Sequence, residues 1–130
     1  MYSLHLIQSE FRSARKERDE KKRAAAQEKA HEKAKAAAKT LAARAVAKLA
    51  PLEPRLRAAV NDPRNDKIPS AVKAALASAA SNVHSMHVES LDVLAGKTSF
   101  LSFDLATLGH EATRAGSSLA AWEPMVNAQF

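Results

Sequence analysis

Residues 95–99 read Ala-Gly-Lys-Thr-Ser and contain the Gly-Lys-Thr triplet that ends many phosphate-binding loops. Such a loop requires another glycine five residues before the first residue of the triplet, directly after a strand. Leu91 occupies that position, inside a predicted helix, so the backbone cannot wrap around a phosphate. We therefore interpret Gly96 as the residue that ends a helix and Thr98 or Ser99 as the N-cap of the next one.

Three histidines are candidates for a metal site. His84 and His87 have a spacing that can place two imidazoles on one metal ion, and a helical hairpin would bring His110 near His84. His110 is expected to point away from the packing face, however, whereas His87 points into it. The chain also has no cysteine to complete a ligand set. We therefore predict no metal and no cofactor, and we expect a half-buried His87 to bond across the hairpin and make its packing sensitive to pH.

No set of nucleophile, general base and orienting residue can be assembled from the sequence. Serines are plentiful, but none lies in an elbow motif. The carboxylates of the C-terminal half fall on the polar faces of predicted helices, away from any common site. The sequence therefore predicts no catalytic residues, and a protein that is not an enzyme.

The Lys and Arg side chains between Arg12 and Lys48 are the best candidates for binding a ligand. This segment holds 13 Lys or Arg against 5 Asp or Glu, whereas residues 71–130 hold 3 against 5. On a helix, ten of these bases fall within an arc of about 160°. We call these ten residues the basic stripe: Arg12, Arg15, Lys16, Arg18, Lys22, Arg23, Lys29, Lys33, Arg44 and Lys48.

The acidic residues of this segment lie mostly behind the basic stripe. Only Asp19 falls within the arc, and the other four acids fall outside it: Glu17, Glu20, Glu28 and Glu32. A straight helix over the stripe is about 54 Å long, long enough to follow many phosphates of a nucleic acid. No aromatic residue is present to stack on bases, and Gln27 is the one amide that could read a base edge.

The basic stripe predicts binding to nucleic acid, RNA or DNA, through phosphates and without sequence preference. Two alternatives stay open. The helix could be a solvated spacer or docking helix, supported by pairs such as Glu17 with Lys21 and Asp19 with Arg23. It could instead lie on an anionic membrane, but the face opposite the bases carries no Leu, Phe or Trp to insert.

The elements that must position these residues are predicted to be helices throughout. Alternation of β-branched or aromatic residues is absent, and the composition favours one long helix from near Ser9 to near Leu49. Pro51 and Pro54 then interrupt it, and residues 61–69 form the clearest loop. We expect an all-α chain in three parts: a long basic helical arm (1–50), a Pro-rich connector with a short helix (51–69) and a C-terminal antiparallel helical hairpin (70–130).

The hairpin is predicted from two apolar patterns. Its first helix runs from an N-cap at Ser70 to a left-handed Gly96. The second follows a short turn and carries apolar residues at alternating spacings of four and three, a coiled-coil pattern that needs a partner helix along its length. Pro124 is expected to end this helix before Val126. We call seven of these positions the packing seam: Leu101, Leu105, Leu108, Ala112, Ala115, Leu119 and Trp122.

A hairpin of two helices has a thin core, so we expect residues 41–60 or a second copy of the chain to cover its open side. The sequence therefore predicts a non-enzymatic structural protein that packs or oligomerises and binds nucleic acid within a larger particle, such as a ribonucleoprotein or a virion. The alternative is a scaffold or stalk subunit whose long helix docks on partner proteins. Because no apolar stretch approaches the roughly 20 residues of a membrane span, we expect no membrane insertion and a soluble protein, intracellular or within a particle.

Overall fold

The computed structural model describes the backbone of residues 2–128 and the side chains of residues 12–128. These residues form four α-helices, α1 (Tyr2–Leu49), α2 (Leu52–Val60), α3 (Ser70–Leu94) and α4 (Leu105–Asn127), and a 3-10 turn over Pro63–Lys67. No strand occurs in this part of the chain. The predicted all-α class, with a long basic N-terminal helix followed by a helical hairpin, is confirmed.

The chain divides into two compact units, Met1–Ala36 and Ala37–Phe130. In the first unit all the side chains from Arg12 to Ala34 are exposed, and Ala is the largest apolar residue among them. This part of α1 has no core, so its helical conformation rests on the high propensity of Ala, Lys, Arg, Glu and Gln. The second unit contains the last turns of α1, the other three helices and the hydrophobic core.

The core of the second unit receives side chains from all four helices. Small residues such as Ala45, Ala79 and Ala115 are fully buried there and let the helices approach closely. Residues of α1 and α2 cover the open side of the hairpin, which is one of the two arrangements that the sequence predicts. The largest fully buried apolar side chains are Leu49, Leu56, Leu76, Val83, Val93, Leu108 and Val126.

α3 and α4 form the antiparallel hairpin, as their cross-contacts show. Asn82 Nδ2 donates to Glu111 Oε2 at 3.4 Å, and one turn further along, Arg114 donates to the hydroxyl of Ser78 at 3.2 Å. The pairing therefore moves backward along α3 as it moves forward along α4. Both contacts lie at the border of the buried face and fix the register of the two helices.

The connection between α3 and α4 is longer than the predicted short turn. Gly96 has a φ of 78°, so its role as the left-handed residue after α3 is confirmed. α4 begins only at Leu105, and its N-cap is Asp104, whose carboxylate accepts from the amide of Thr107 at 2.8 Å. The predicted N-cap at Thr98 or Ser99 is therefore wrong. Asp104 caps this helix because its carboxylate accepts from an otherwise free amide three residues later. Between Gly96 and Asp104, Leu101 packs into the core.

Three further predicted helix ends differ from the structure. α1 begins at Tyr2, whereas the sequence predicts its start near Ser9. Ser70 is the first residue of α3, because the chain is extended through Pro69 and the helix starts directly after it. Pro124 lies inside α4, which continues to Asn127 and buries Val126. A proline in the last turn removes one helical hydrogen bond only, and the burial of Val126 outweighs that loss.

Candidate nucleic-acid interface

All ten residues of the basic stripe are exposed side chains on α1. Eight of them, from Arg12 to Lys33, lie in the first unit, and Arg44 and Lys48 lie in the second. The helix therefore presents the bases to solvent, as binding to a large anionic partner requires. All ten belong to the same helix, Tyr2–Leu49.

In the second unit the basic and buried sides of α1 are separate. Ala42, Ala45 and Leu49 are fully buried against the other helices, while Arg44 and Lys48 stay exposed. The centres of the two faces are about 130° apart around the helix. Packing against the core therefore leaves the last two bases of the stripe accessible.

The bases of the stripe are not held in ion pairs by acids of residues 12–128. Within the described residues, none of the ten bases forms an ion pair. The expected pairs of Glu17 with Lys21 and of Asp19 with Arg23 are not formed either, which is a correction to the sequence analysis. Exposed pairs of this kind contribute little, because ordering two long side chains costs about as much as the attraction gains.

The opposite side of the helix is close to electrically balanced. It carries three lysines and four glutamates between Arg12 and Lys48, against ten bases and one aspartate on the stripe. The field of the segment is therefore one-sided. Near the N-terminal end, the stripe also has a shallow depression of about 280 Å³, lined by Arg12, Arg15, Lys16, Asp19, Glu20 and Arg23.

The packing seam divides into buried and exposed positions. Leu108, Ala115 and Leu119 are buried in the core of the chain itself, and Ala112 and Trp122 are half-buried. Leu101 is buried too, but from the connection before α4. Leu105, the first residue of α4, is 48% exposed and does not belong to the buried face. The seam therefore serves intramolecular packing along most of its length.

The Gly-Lys-Thr segment forms a helix end. The amide of Gly96 donates to Val93 O at 3.1 Å, and the amide of Lys97 donates to Asp92 O at 2.9 Å. These two bonds satisfy the last carbonyls of α3. Two of the amides that a phosphate-binding loop would offer are thus already occupied within the helix terminus.

A cluster of one carboxylate and two imidazoles joins α2 to α3. Glu53 Oε1 lies 2.6 Å from His84 Nδ1, and its other oxygen contacts Nδ1 of His87. Arg57, one turn along α2, donates to the same carboxylate at 3.1 Å. Because an ionised carboxylate only accepts hydrogen bonds, both imidazoles carry a proton on Nδ1. His87 therefore bonds to α2. The prediction that it bonds across the hairpin is wrong.

The environment of Glu53 stabilises its ionised form. The hydrogen bond from His84 has the largest effect and lowers the pKa of the carboxyl below its usual value. Partial burial raises the pKa and opposes this effect, and the contact with His87 lowers it further. The carboxylate is therefore the anion that holds two imidazoles and a guanidinium together.

The cluster joins two helices through charge-assisted hydrogen bonds. The neighbouring depression of about 290 Å³ is lined by side chains without a hydroxyl or thiol: Glu53, Arg57, Val60, Asn61, Ala80 and His84. Across the described residues, no group of three or more His, Cys, Asp or Glu can hold a metal ion. His110 is exposed on α4 and takes no part in the cluster.

Sequence reasoning found the two histidines but missed Glu53. The available signal was the spacing of His84 and His87, which places both on one side of α3, together with a single carboxylate in the short helix that follows Pro51. It also missed Asn65, whose Oδ1 accepts from Trp122 Nε1 at 2.7 Å and whose Nδ2 donates to Ala59 O at 2.7 Å. This asparagine ties the end of α2 to α4.

The fold and the stripe define an all-α protein that displays a one-sided basic helix. Among the described residues, no helix is both long and apolar enough to cross a lipid bilayer. No family model matches the chain, and no match was found among curated proteins or among solved structures.

Proposed function

We propose that this protein binds nucleic acid through its phosphates, using the basic stripe of α1, and acts as a non-catalytic subunit of a larger particle. The observation that carries the proposal is the exposure of eight bases on one arc of the first unit, from Arg12 to Lys33, with no ion pair to an acid within the described residues. Lys and Arg side chains displayed in this way neutralise phosphates and release condensed counterions. That release supplies most of the affinity in binding that does not depend on sequence.

The composition of residues 12–36 favours a nucleic acid over a lipid surface. Between Arg12 and Ala36 no apolar side chain is larger than Ala, so this stretch of α1 has nothing to insert into a membrane. The balanced charge behind the stripe also limits the attraction to one side of the helix. A straight polyanion fits this distribution.

The second part of the proposal is association with other subunits, in a particle such as a ribonucleoprotein or a virion. Large apolar side chains are exposed in the second unit near the end of α3 and the start of α4. They leave apolar surface for a neighbour to cover. These residues are Val88, Leu91, Leu94, Phe100 and Leu105.

Salt dependence tests the nucleic-acid part directly. We expect the full chain to bind generic labelled DNA or RNA at about 50 mM salt, and to lose about 10³-fold or more in affinity by about 200 mM. Arg15→Glu and Lys22→Glu should each weaken binding and reduce the slope of log affinity against log salt by about 1. Fluorescence anisotropy over a salt series measures both quantities.

A matched control lies on the back of the same helix. Lys21→Glu makes the same charge change outside the stripe, and it should leave the salt slope close to that of the unsubstituted protein. Equal effects of Lys21→Glu and Lys22→Glu would contradict a one-sided interface. No binding at low salt would overturn the proposal and favour the alternative, a helix that docks on an acidic protein surface.

A further inference from the structure

The bases of the first unit form two rows on α1. Seen along the helix axis, the rows are centred about 100° apart, at the two edges of the basic stripe. We call them the short row and the long row. The short row is Arg12, Lys16 and Arg23. The long row is Arg15, Arg18, Lys22, Lys29 and Lys33.

Small and acidic residues occupy the line between the two rows. Asp19 and Ala26 lie on this line, and Ala30 lies beside it. Asp19 is exposed, forms no ion pair within the described residues, and lies in the depression lined by Arg12, Arg15, Lys16, Glu20 and Arg23. An aspartate at the centre of a phosphate-binding face would repel a phosphate placed there.

We propose, on the basis of the nucleic-acid binding proposed above, that residues 12–33 of α1 lie in the major groove of B-form duplex DNA. The short and long rows then face the two phosphate strands that border the groove. The line between them faces the base edges. Asp19 is thereby placed against exocyclic amino groups instead of phosphates.

The dimensions of the helix and the groove agree. An α-helix with its side chains is about 10–12 Å wide, and the major groove is about 12 Å wide. The groove curves around the duplex, so a straight helix stays in it over roughly half a DNA turn, about 17 Å, and Asp19 and Ala26 lie within one such length. Ala26 and Ala30 let the helix approach the floor of the groove, and this segment has no Leu, Ile, Val, Met, Phe, Tyr or Trp.

Other nucleic-acid forms fit the two rows less well. A single strand offers one line of phosphates and is held by stacking on aromatic side chains, which residues 12–48 lack. Double-stranded RNA has a major groove too narrow and deep for side chains to read. Duplex DNA is therefore the form that provides two phosphate strands with an accessible floor between them.

A groove position gives Asp19 a chemical role. A carboxylate accepts hydrogen bonds, and both the N4 amino group of cytosine and the N6 amino group of adenine donate into the major groove. The adenine donor lies beside the acceptor N7 of the same base, which repels a carboxylate, so the contact favours cytosine. A contact of this kind changes base preference by about 5-fold or more. We therefore expect a modest preference for duplexes with cytosine at the contact position, on top of the general affinity from the two rows.

The test compares the full chain with its Asp19→Ala variant on three ligands of equal length: a duplex of A·T pairs only, a G·C-containing duplex and a single strand. We expect both proteins to bind duplex more tightly than single strand. The unsubstituted protein should favour the G·C-containing duplex by about 5-fold, and Asp19→Ala should bind the A·T duplex more tightly and lose that preference. Glu28→Ala, which removes a carboxylate from the back of the helix, should keep the preference.

A footprint separates groove occupancy from contact with one strand. Dimethyl sulfate methylates guanine N7 in the major groove, and the bound helix should reduce that reaction. Unchanged methylation under saturating protein, or equal affinity for duplex and single strand, would overturn the groove placement while leaving phosphate binding intact. If Asp19→Ala tightens both duplexes equally, Asp19 does not face base edges and the placement is wrong. Loss of all binding at low salt would instead refute the proposed function itself.

Discussion

Oε1 of Glu53 lies 2.6 Å from Nδ1 of His84. This contact joins α2 to α3, although the two residues are 31 positions apart in the sequence. The other carboxylate oxygen contacts His87, and Arg57 donates to the same group. Glu53 is 12% exposed as a side chain, so its charge is satisfied almost entirely by these three partners. The contact fixes a short helix that has only nine residues of its own.

We predict that Glu53 makes stability depend on pH in the acid range. Its pKa is lowered in the folded state, chiefly by the hydrogen bond from His84, so its contribution is present above the unfolded value near 4.5 and is lost as pH falls through the lower folded value. Glu53→Gln should cost about 1–3 kcal/mol at pH 7. The free energy of unfolding, measured with urea, should fall less steeply from pH 7 to pH 3 in Glu53→Gln than in the unsubstituted protein.

The charged groups around Glu53 define the control for this experiment. Within the described residues, its contacts are Arg57 on α2 and the two imidazoles on α3, and no charged residue of α1 or α4 contacts it. Glu123→Gln changes an exposed carboxylate of α4 and should leave the pH profile unaltered. If the free energy of unfolding depended on pH in the same way in Glu53→Gln and in the unsubstituted protein, Glu53 would not be the source of the acid sensitivity.

The same cluster predicts the tautomers of two histidines. A carboxylate that accepts from Nδ1 holds the proton on that nitrogen and leaves Nε2 without one in the neutral ring. Long-range proton–nitrogen NMR spectra above neutral pH should therefore show Nδ1-protonated rings for His84 and His87. In Glu53→Gln the preference of both rings for the Nδ1-protonated tautomer should weaken. An Nε2-protonated ring for His87 in the unsubstituted protein would contradict the hydrogen-bond assignment.

Two leucines of the packing seam should differ sharply on truncation. Leu108 is fully buried, so Leu108→Ala leaves a cavity and should lower the free energy of unfolding by about 2–5 kcal/mol. Leu105 is 48% exposed, and Leu105→Ala should change the free energy of unfolding by less than about 1 kcal/mol. Chemical denaturation followed by circular dichroism measures both. Similar losses for the two variants would mean that α4 packs in a different register.

Glycine substitutions should act in opposite directions at two sites. Gly96 has a φ of 78° and no heavy atom within 4 Å of an added Cβ, so Gly96→Ala should cost about 1–2 kcal/mol through backbone conformation alone. Gly109 lies inside α4 with equally open space around it. Gly109→Ala should stabilise the protein by about 0.5–1 kcal/mol, since alanine favours the helix. Thermal unfolding gives the two signs directly, and a stabilised Gly96→Ala protein would exclude the left-handed assignment.

The helical class and most element positions followed from local chemistry. Long runs of strong helix formers and the prolines around residue 51 were sufficient to predict the length of α1 from Ser9 onward, its end and the break after it, although the helix begins earlier, at Tyr2. The glycine at residue 96 marked the end of α3 correctly. The ends that were predicted wrongly depend on competition between local and tertiary effects. Leu101 is buried from the connection before Asp104 caps α4, and Pro124 lies within a helix that continues to bury Val126.

The sequence by itself determined the basic stripe, because a helical period and the charge of each residue are enough to place ten bases on one side of α1. Which apolar residues are buried was decided only by the tertiary structure. Leu105 and Leu108 are equivalent in the heptad pattern, yet only Leu108 is covered by the other helices. Glu53 likewise meets His84 only after α2 packs on α3, and a contact between residues so distant in sequence leaves no periodic signal in the chain.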